Sequence, residues 1–177
     1  MTSRVIVSIR VPCSPAQAFD IFTQEIGVWW ADSELFRFTP RSPGVLAFEP
    51  PDPAGGGGRL VERLPNGKTF EIGPIRRWER GERLVVGWRM ASFGPEHATE
   101  VDVRFEAVGK ETRVSVEHSG WDIVPQDHVA RHGFPLHFTN QRQGDQWRTG
   151  LERIRFRAGA LPAPTDAKPV DAKFSDD

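Results

Sequence analysis

Short runs in which every second residue is hydrophobic are the main pattern of this chain, and they are typical of β-strands with one buried face. The first run begins near Arg4 and ends at Val11. From Gly44 onward, six further runs are separated by Gly, Pro and Asn, which predicts an antiparallel meander. These runs read VLAFE, RLVERL, TFEIG, RLVVGWRM, TEVDVRFEAV and TRVSVEHS.

The segment Ala98–Trp121 predicts a long antiparallel hairpin with one apolar and one charged face. We favour the register that places Phe105 opposite Lys110, because Arg104 then faces a glutamate. The next register would place Arg104 against Arg113, and like charges opposite each other destabilise a sheet. The residues expected on the inner face are Val101, Val103, Phe105, Thr112, Val114, Val116 and His118.

Helical periodicity begins directly after the first strand. Ser14 and Gln17 have the spacing of an N-terminal capping box, and Pro15 occupies the first helical position. This predicts a helix, followed by a shorter helical stretch that ends near Trp29 and Trp30. Both helices are expected to pack on the sheet.

A third helical segment is predicted near the C-terminus, from Asp145 to Ala158. Its apolar stripe contains Trp147, Leu151, Ile154 and Ala158. The preceding residues 122–144 have no regular period and contain several Pro and Gly. We therefore expect a long loop there that serves as a lid or an interface element, with Phe134 and Phe138 packed against the rest of the protein.

Composition and charge narrow the class of protein. The chain has 177 residues, of which 38% are hydrophobic, and this predicts one domain over residues 1–158 with a flexible tail over residues 159–177. The net charge of −1 favours neither nucleic acid nor an anionic membrane as a partner. Cys13 is the single cysteine, and neither a secretory signal nor a membrane span is evident. We expect a cytoplasmic protein without disulfides.

Several longer sequence segments of the chain resemble those of a known protein family. They are SPAQAFDIFT, the Trp29–Trp30 pair, FTPRSPGVLAFE, GKTFEIGPIRRWERGERLVVGWRM, TEVDVRFEAVGKETRVSVEHSGW and DQWRTGLERI. Over residues 4–158 the chain resembles the START-like (SRPBCC) superfamily, and within it the bacterial relatives of the activator of the heat-shock-protein-90 ATPase. The resemblance implies an α+β helix-grip fold, in which a curved antiparallel sheet of about six to seven strands wraps around a long C-terminal helix. It also implies two short helices after strand one and a homodimer.

In a helix grip, the concave face of the sheet and the inner face of the final helix line one cavity. We expect this cavity to bind a ligand through Phe70, Trp88, Met90, His118, Trp147 and Leu151. The alternative is that these side chains fill a solid core, because a dry core has the same periodicity. His118 is the polar member, and it is either a ligand contact or general base or a structural histidine bonded within the core.

Other motifs that carry chemistry are incomplete. His128, His132 and His137 lie near Asp127, but the glutamate and the third ligand of a zinc helix are missing, so no metal is expected. Gly55–Gly58 lacks the Lys and Ser/Thr of a phosphate loop, so no nucleotide cofactor is expected. The arginines of the final helix have only Phe156 as an aromatic partner for single-strand binding, and it projects away from the Trp147 stripe, so nucleic acid is not expected.

Three functional hypotheses follow from these observations and the resemblance. The leading one is a non-catalytic protein that binds a small apolar or amphipathic molecule. The second is a cyclase-like or hydratase-like enzyme, in which His118 acts with an inward carboxylate from Glu62 or Glu71. The third is a module that contacts a chaperone, as the family resemblance implies. We assign no catalytic residue, metal or cofactor from the sequence.

Overall fold

The computed structural model describes residues 3–30, 32–40 and 43–162. The strands are β1 (Arg4–Val11), β2 (Val45–Glu49), β3 (Arg59–Arg63), β4 (Thr69–Glu79), β5 (Arg83–Trp88), β6 (Thr99–Val108) and β7 (Glu111–Ser119). The helices are α1 (Pro15–Gln24), α2 (Ile26–Trp29) and α3 (Leu136–Gly159). The seven strands form one antiparallel sheet in the order β1-β7-β6-β5-β4-β3-β2.

The curved sheet packs its inner face against the helices, which is the predicted α+β helix-grip fold. The apolar positions of β6 and β7 that were expected on the inner face are buried. The capping box of α1 is also confirmed, since the Ser14 hydroxyl accepts the Gln17 N–H at 3.2 Å and the Gln17 side chain accepts the Ser14 N–H at 3.0 Å. Of the predicted tail, residues 163–177 lie outside the described residues.

The hairpin of β6 and β7 differs from the predicted register, and also from the alternative. Phe105 lies opposite Val114 and not opposite Lys110, because a short turn at Gly109 joins Val108 to Glu111. Gly109 has a φ of 62°, a left-handed conformation that suits glycine. A tight turn therefore determines the register.

The outward charges of this hairpin pair mainly with other strands, which explains why charge matching failed as a guide to register. Asp102 of β6 forms an ion pair with Arg83 of β5, with a distance of 2.6 Å between Oδ2 and the guanidinium. Glu117 of β7 lies 3.6 Å from Arg4 of β1. Cross-strand pairing within one hairpin is only one of the ways in which a central strand satisfies its charges.

The final helix begins at Leu136, nine residues before the predicted start at Asp145, so the expected loop over residues 122–144 is wrong in its second half. The first half of α3 was not predicted as helix because its buried face is largely polar and therefore shows no hydrophobic periodicity. This face contains Thr139, Gln143, Gly144 and Gln146. The remaining connection contains two short 3-10 turns, Trp121–Ile123 and Val129–Arg131.

The curvature of the sheet depends on irregular pairing around β4, which is longer than the predicted TFEIG run and includes Pro74. The register shifts between Ile75 and Arg77, and such irregularities bend a sheet. Gly73 lies so close to Gly87 of β5 that a Cβ atom on Gly73 would be 1.8 Å from the Gly87 carbonyl oxygen. Glycine at this position permits the close approach of the two strands.

Candidate functional site

The space between the inner face of β5 and α3 contains four aromatic rings, which we call the aromatic cluster: Trp30, Phe38, Trp88 and Trp147. The three indoles contact one another, with ring centroids 5.2–5.3 Å apart. The Phe38 ring lies 5.3 Å from that of Trp88. Trp88 and Trp147 are buried, whereas Trp30 is half-buried and therefore closer to solvent.

His118 of β7 joins the two sides of this cluster through a chain of hydrogen bonds. The Trp147 indole N–H donates to His118 Nδ1 at 3.1 Å, so the ring proton belongs on Nε2. That N–H donates to the Thr99 hydroxyl at 3.0 Å, and the hydroxyl donates to the Trp88 carbonyl at 2.6 Å. Both nitrogens of the imidazole are therefore occupied by partners within the protein.

Burial also keeps the His118 imidazole neutral. The residue is 1% exposed, and the aromatic rings around it, Trp88, Trp121 and Trp147, carry no charge. Burial lowers the pKa of His118 from 6.5 to about 3. In this arrangement His118 orients the Trp147 indole, is linked through Thr99 to the Trp88 backbone, and offers no free nitrogen as a general base.

The six predicted ligand contacts fall into separate environments. Trp88, His118 and Trp147 belong to one network, and Leu151 is fully buried one helical turn beyond Trp147. Met90 is buried but lines a pocket that opens to the surface. Phe70 is half-buried on β4, and the Arg89 guanidinium lies 5.0 Å above its ring centre.

The pocket that Met90 lines has a volume of about 390 Å³, and we call it the mouth pocket. It lies between residues 34–40, the turn after β5 and the 3-10 turn Val129–Arg131. Its apolar walls come from Leu35, Phe38, Pro40, Met90, Ala91, Val129 and Ala130. Its polar lining residues are Glu34, Arg37, Ser92 and His132.

Hydrogen bonds connect the edges of the mouth pocket. The Ala91 N–H donates to the Phe38 carbonyl at 2.8 Å, and the His132 ring donates to the Leu35 carbonyl. His132 has a φ of 50°, which is uncommon for a residue other than glycine. Phe38 both lines the pocket and contacts Trp88, so the floor of the pocket continues into the aromatic cluster.

Sequence reasoning missed most residues of the mouth pocket, because segments 34–40 and 129–132 have no periodicity. The signals available were the clustered aromatic residues Phe36 and Phe38 and the histidines of the region before α3. His128 accepts the Ala130 N–H and donates to the Ser92 carbonyl, both at 3.1 Å. In the part of the chain that the structure describes, no three potential metal ligands converge.

Of the two acids considered for catalysis, Glu62 has an inward, buried position. It lies on β3 opposite Leu46 of β2, and its Oε1 atom accepts a 2.6 Å hydrogen bond from the Thr39 hydroxyl. Burial raises the pKa of Glu62, against the opposing effect of its hydrogen bonds. Glu71 is half-buried and pairs with Arg59 at 3.4 Å.

A curved antiparallel sheet closed over a long C-terminal helix, with a pocket at one end, defines a START-like helix-grip protein. The chain belongs to the family described as Activator of Hsp90 ATPase homolog 1-like protein, which matches residues 12–143. No curated protein matches the chain. Across the described residues, no helix is both long and apolar enough to cross a membrane.

Solved structures with similar folds have low sequence identity. Protein MLL2253 from Mesorhizobium loti is 15% identical, with a TM-score of 0.62 over 91% of this chain and 100% of that chain. DynU16, from the dynemicin biosynthetic locus, is 17% identical with a TM-score of 0.58 over 89% of this chain and 47% of that one. BexL, a di-domain ARO/CYC from the BE-7585A biosynthetic pathway, is 16% identical with a TM-score of 0.55 over 91% of this chain and 51% of that one.

Proposed function

We propose that the protein binds a small apolar or amphipathic molecule in the mouth pocket, without a covalent step of its own. The main support is the apolar floor of this pocket, where Phe38 and Met90 lead toward Trp88. Apolar burial contributes about 25 cal/mol per Å² to affinity. DynU16 and BexL come from biosynthetic loci or pathways, which also favours a small-molecule role.

Within this proposal, the six predicted contacts have different roles. Met90 contacts the ligand first, and Trp88 and Trp147 become accessible when the half-buried Trp30 ring moves aside. His118 holds the Trp147 indole through a direct hydrogen bond and is linked through Thr99 to the Trp88 carbonyl. Leu151 on α3 and Phe70 on β4 do not line the mouth pocket, and their contact with the ligand stays a prediction.

Blocking the mouth pocket is expected to abolish ligand binding without unfolding the protein. Ser92 is exposed and lines the pocket, so the indole of Ser92→Trp would occupy the space proposed for the ligand. Lys68→Trp adds the same ring at an exposed turn that does not line the pocket and serves as the control. Native mass spectrometry and a thermal-shift panel of lipids and aromatic compounds measure binding.

A bound mass or a rise in melting temperature is expected for the wild type and for Lys68→Trp, but not for Ser92→Trp. An unchanged ligand response in Ser92→Trp would exclude the mouth pocket as the binding site. The absence of any response in the wild type would count against ligand binding as the function.

The enzyme hypothesis has weaker support than binding. BexL is described as an ARO/CYC protein, and Glu62 supplies a buried inward carboxyl group. However, His118 needs a free nitrogen to act as a base, and both of its nitrogens have partners. The chaperone hypothesis rests on the family description alone, and a cytoplasmic location remains a prediction.

We also propose that the chain forms a two-fold homodimer through a groove of about 730 Å³ between α2 and α3. Two apolar side chains of this groove are strongly exposed, Val28 at 78% and Phe156 at 85%. The groove carries both signs of charge, including the ion pair of Glu25 and Arg157 at 2.8 Å. Because a two-fold interface pairs a surface patch with itself, such a mixed patch is self-complementary.

The substitution Phe156→Glu is expected to convert the dimer to a monomer, because the interface would then bury an unpaired carboxylate on each copy. Ile6→Glu is the matched control, since Ile6 is 57% exposed and does not line the groove. Size-exclusion chromatography with light scattering measures the mass. A Phe156→Glu protein that remains dimeric, or a wild type that is monomeric, would contradict this interface.

A further inference from the structure

Arg131 is a buried cation beside the mouth pocket. It is 4% exposed and lies between Ala130 and His132, which both line the pocket. Its guanidinium donates to the Val124 and Phe134 carbonyls, both at 2.7 Å, and to the Thr139 hydroxyl at 3.0 Å. All three acceptors are neutral, and across the described residues no carboxylate forms an ion pair with Arg131.

The charge of Arg131 is therefore not balanced by its immediate surroundings. Burial lowers the pKa of Arg131, but an arginine side chain stays protonated in proteins because its ordinary pKa is far above neutral pH. Removal of a cation from water is costly, and its field is poorly screened inside the protein. An anion in the neighbouring pocket would be stabilised by this field.

The other charges that line the mouth pocket do not cancel this effect. Arg37 and Glu34 are both exposed lining residues of opposite sign, and neither forms an ion pair within the described part of the chain. His132 donates its ring N–H to the Leu35 carbonyl. Behind the wall, Arg131 contributes a positive charge, whereas the buried Glu62, which accepts from Thr39 between Phe38 and Pro40, has a pKa raised by burial and so a reduced tendency to carry the opposite charge.

We propose that the mouth pocket selects amphipathic carboxylates over neutral molecules of the same shape. The apolar body of the ligand lies on Phe38 and Met90, and its carboxylate lies at the rim near Arg37 and the turn that carries Arg131. This inference rests on the proposed binding function and adds the chemical class of the ligand.

The test compares ligands that differ only in charge. Decanoate and decanol form one pair, and 1-naphthoate and 1-naphthalenemethanol form an aromatic pair. Isothermal titration calorimetry is carried out on the full chain at low ionic strength and in 0.5 M salt, which is about a tenfold or greater increase in screening ions. The expected result is that each carboxylate binds at least about tenfold more tightly than its alcohol at low salt, and that salt reduces this preference.

Variants separate the electrostatic effect from general binding. Arg37→Gln is expected to weaken carboxylate binding by about threefold or more and to leave alcohol binding unchanged. Arg10→Gln is the control, because Arg10 is exposed on β1 and does not line the pocket. Arg131→Met tests the buried charge if this variant folds, and the comparison at Arg37 remains decisive if it does not.

The outcomes distinguish this inference from the binding function on which it rests. Equal affinity for a carboxylate and its alcohol would overturn the inference, even if both ligands occupy the mouth pocket. Equal weakening of both ligands by Arg37→Gln would overturn it as well. Failure of all four ligands to bind the wild type, or binding that Ser92→Trp does not reduce, would instead overturn the proposed function.

Discussion

Replacing His118 by alanine is expected to lower the free energy of unfolding by about 3–5 kcal/mol. The substitution removes the acceptor of the Trp147 indole N–H and the donor to the Thr99 hydroxyl. The Trp147 N–H is left without a partner, which costs about 1–3 kcal/mol, and the lost ring also leaves a cavity, whereas the Thr99 hydroxyl keeps its bond to the Trp88 carbonyl. Chemical denaturation followed by tryptophan fluorescence measures the change.

Two comparisons show whether the hydrogen bonds cause this loss. Ser115 lies on the outer face of the same strand as His118, and its hydroxyl forms an exposed 2.8 Å hydrogen bond with the Ser8 hydroxyl of β1. Ser115→Ala removes this bond and should cost less than about 1 kcal/mol. A double-mutant cycle of His118→Ala with Trp147→Phe should give a coupling energy of about 0.5–3 kcal/mol. A His118→Ala protein that loses less than about 1 kcal/mol would show that the network contributes little.

Acidification is expected to destabilise the protein through the same residue. The pKa of His118 is about 3 in the folded protein and near 6.5 when exposed, so the unfolded chain binds a proton that the folded chain excludes. The contribution of His118 to stability is therefore complete above pH 6.5 and is lost as the pH falls toward 3. The slope contributed by this one group is about 1.4 kcal/mol per pH unit within that window.

The acid effect of His118 is measured by difference, because other groups also titrate. Glu62 has the opposite tendency, since its raised pKa favours the folded state as the pH falls. The slope of unfolding free energy between pH 7 and 4.5 is compared for the wild type, His118→Gln and His137→Gln, whose side chain is exposed. His118→Gln should lose most of the His118 slope, and His137→Gln should keep it. Equal slopes in the wild type and His118→Gln would contradict the assignment.

The candidate site shows how far local patterns extend. The alternation of β7 correctly places His118 on the buried face, and helical spacing places Trp147 on the inner stripe of α3. The hydrogen-bond chain between them could not be predicted, because its members come from β5, β6, β7 and α3. Their meeting depends on the strand register, which the tight turn at Gly109 determines.

The mouth pocket was beyond sequence reasoning for a different reason. Phe38, Met90 and Ala130 lie in segments that are far apart in the chain, and only Met90 belongs to a periodic run, so no local pattern relates the three. The same holds for Arg131, whose sequence position looks like a solvated loop residue but whose guanidinium satisfies three backbone and side-chain oxygens. Sequence alone indicates neither its burial nor the missing counter-charge.

By itself, the sequence determined the class of the fold, because a period of two and a period of 3.6 are local consequences of which face each element buries. It also determined the inward position of His118 and the capped start of α1. Only the tertiary structure decided the early start of α3, the occupation of the grip by indole rings and the location of the pocket at its mouth. These features depend on contacts between distant segments, where polar side chains are buried against specific partners. No short-range sequence pattern indicates which partners meet.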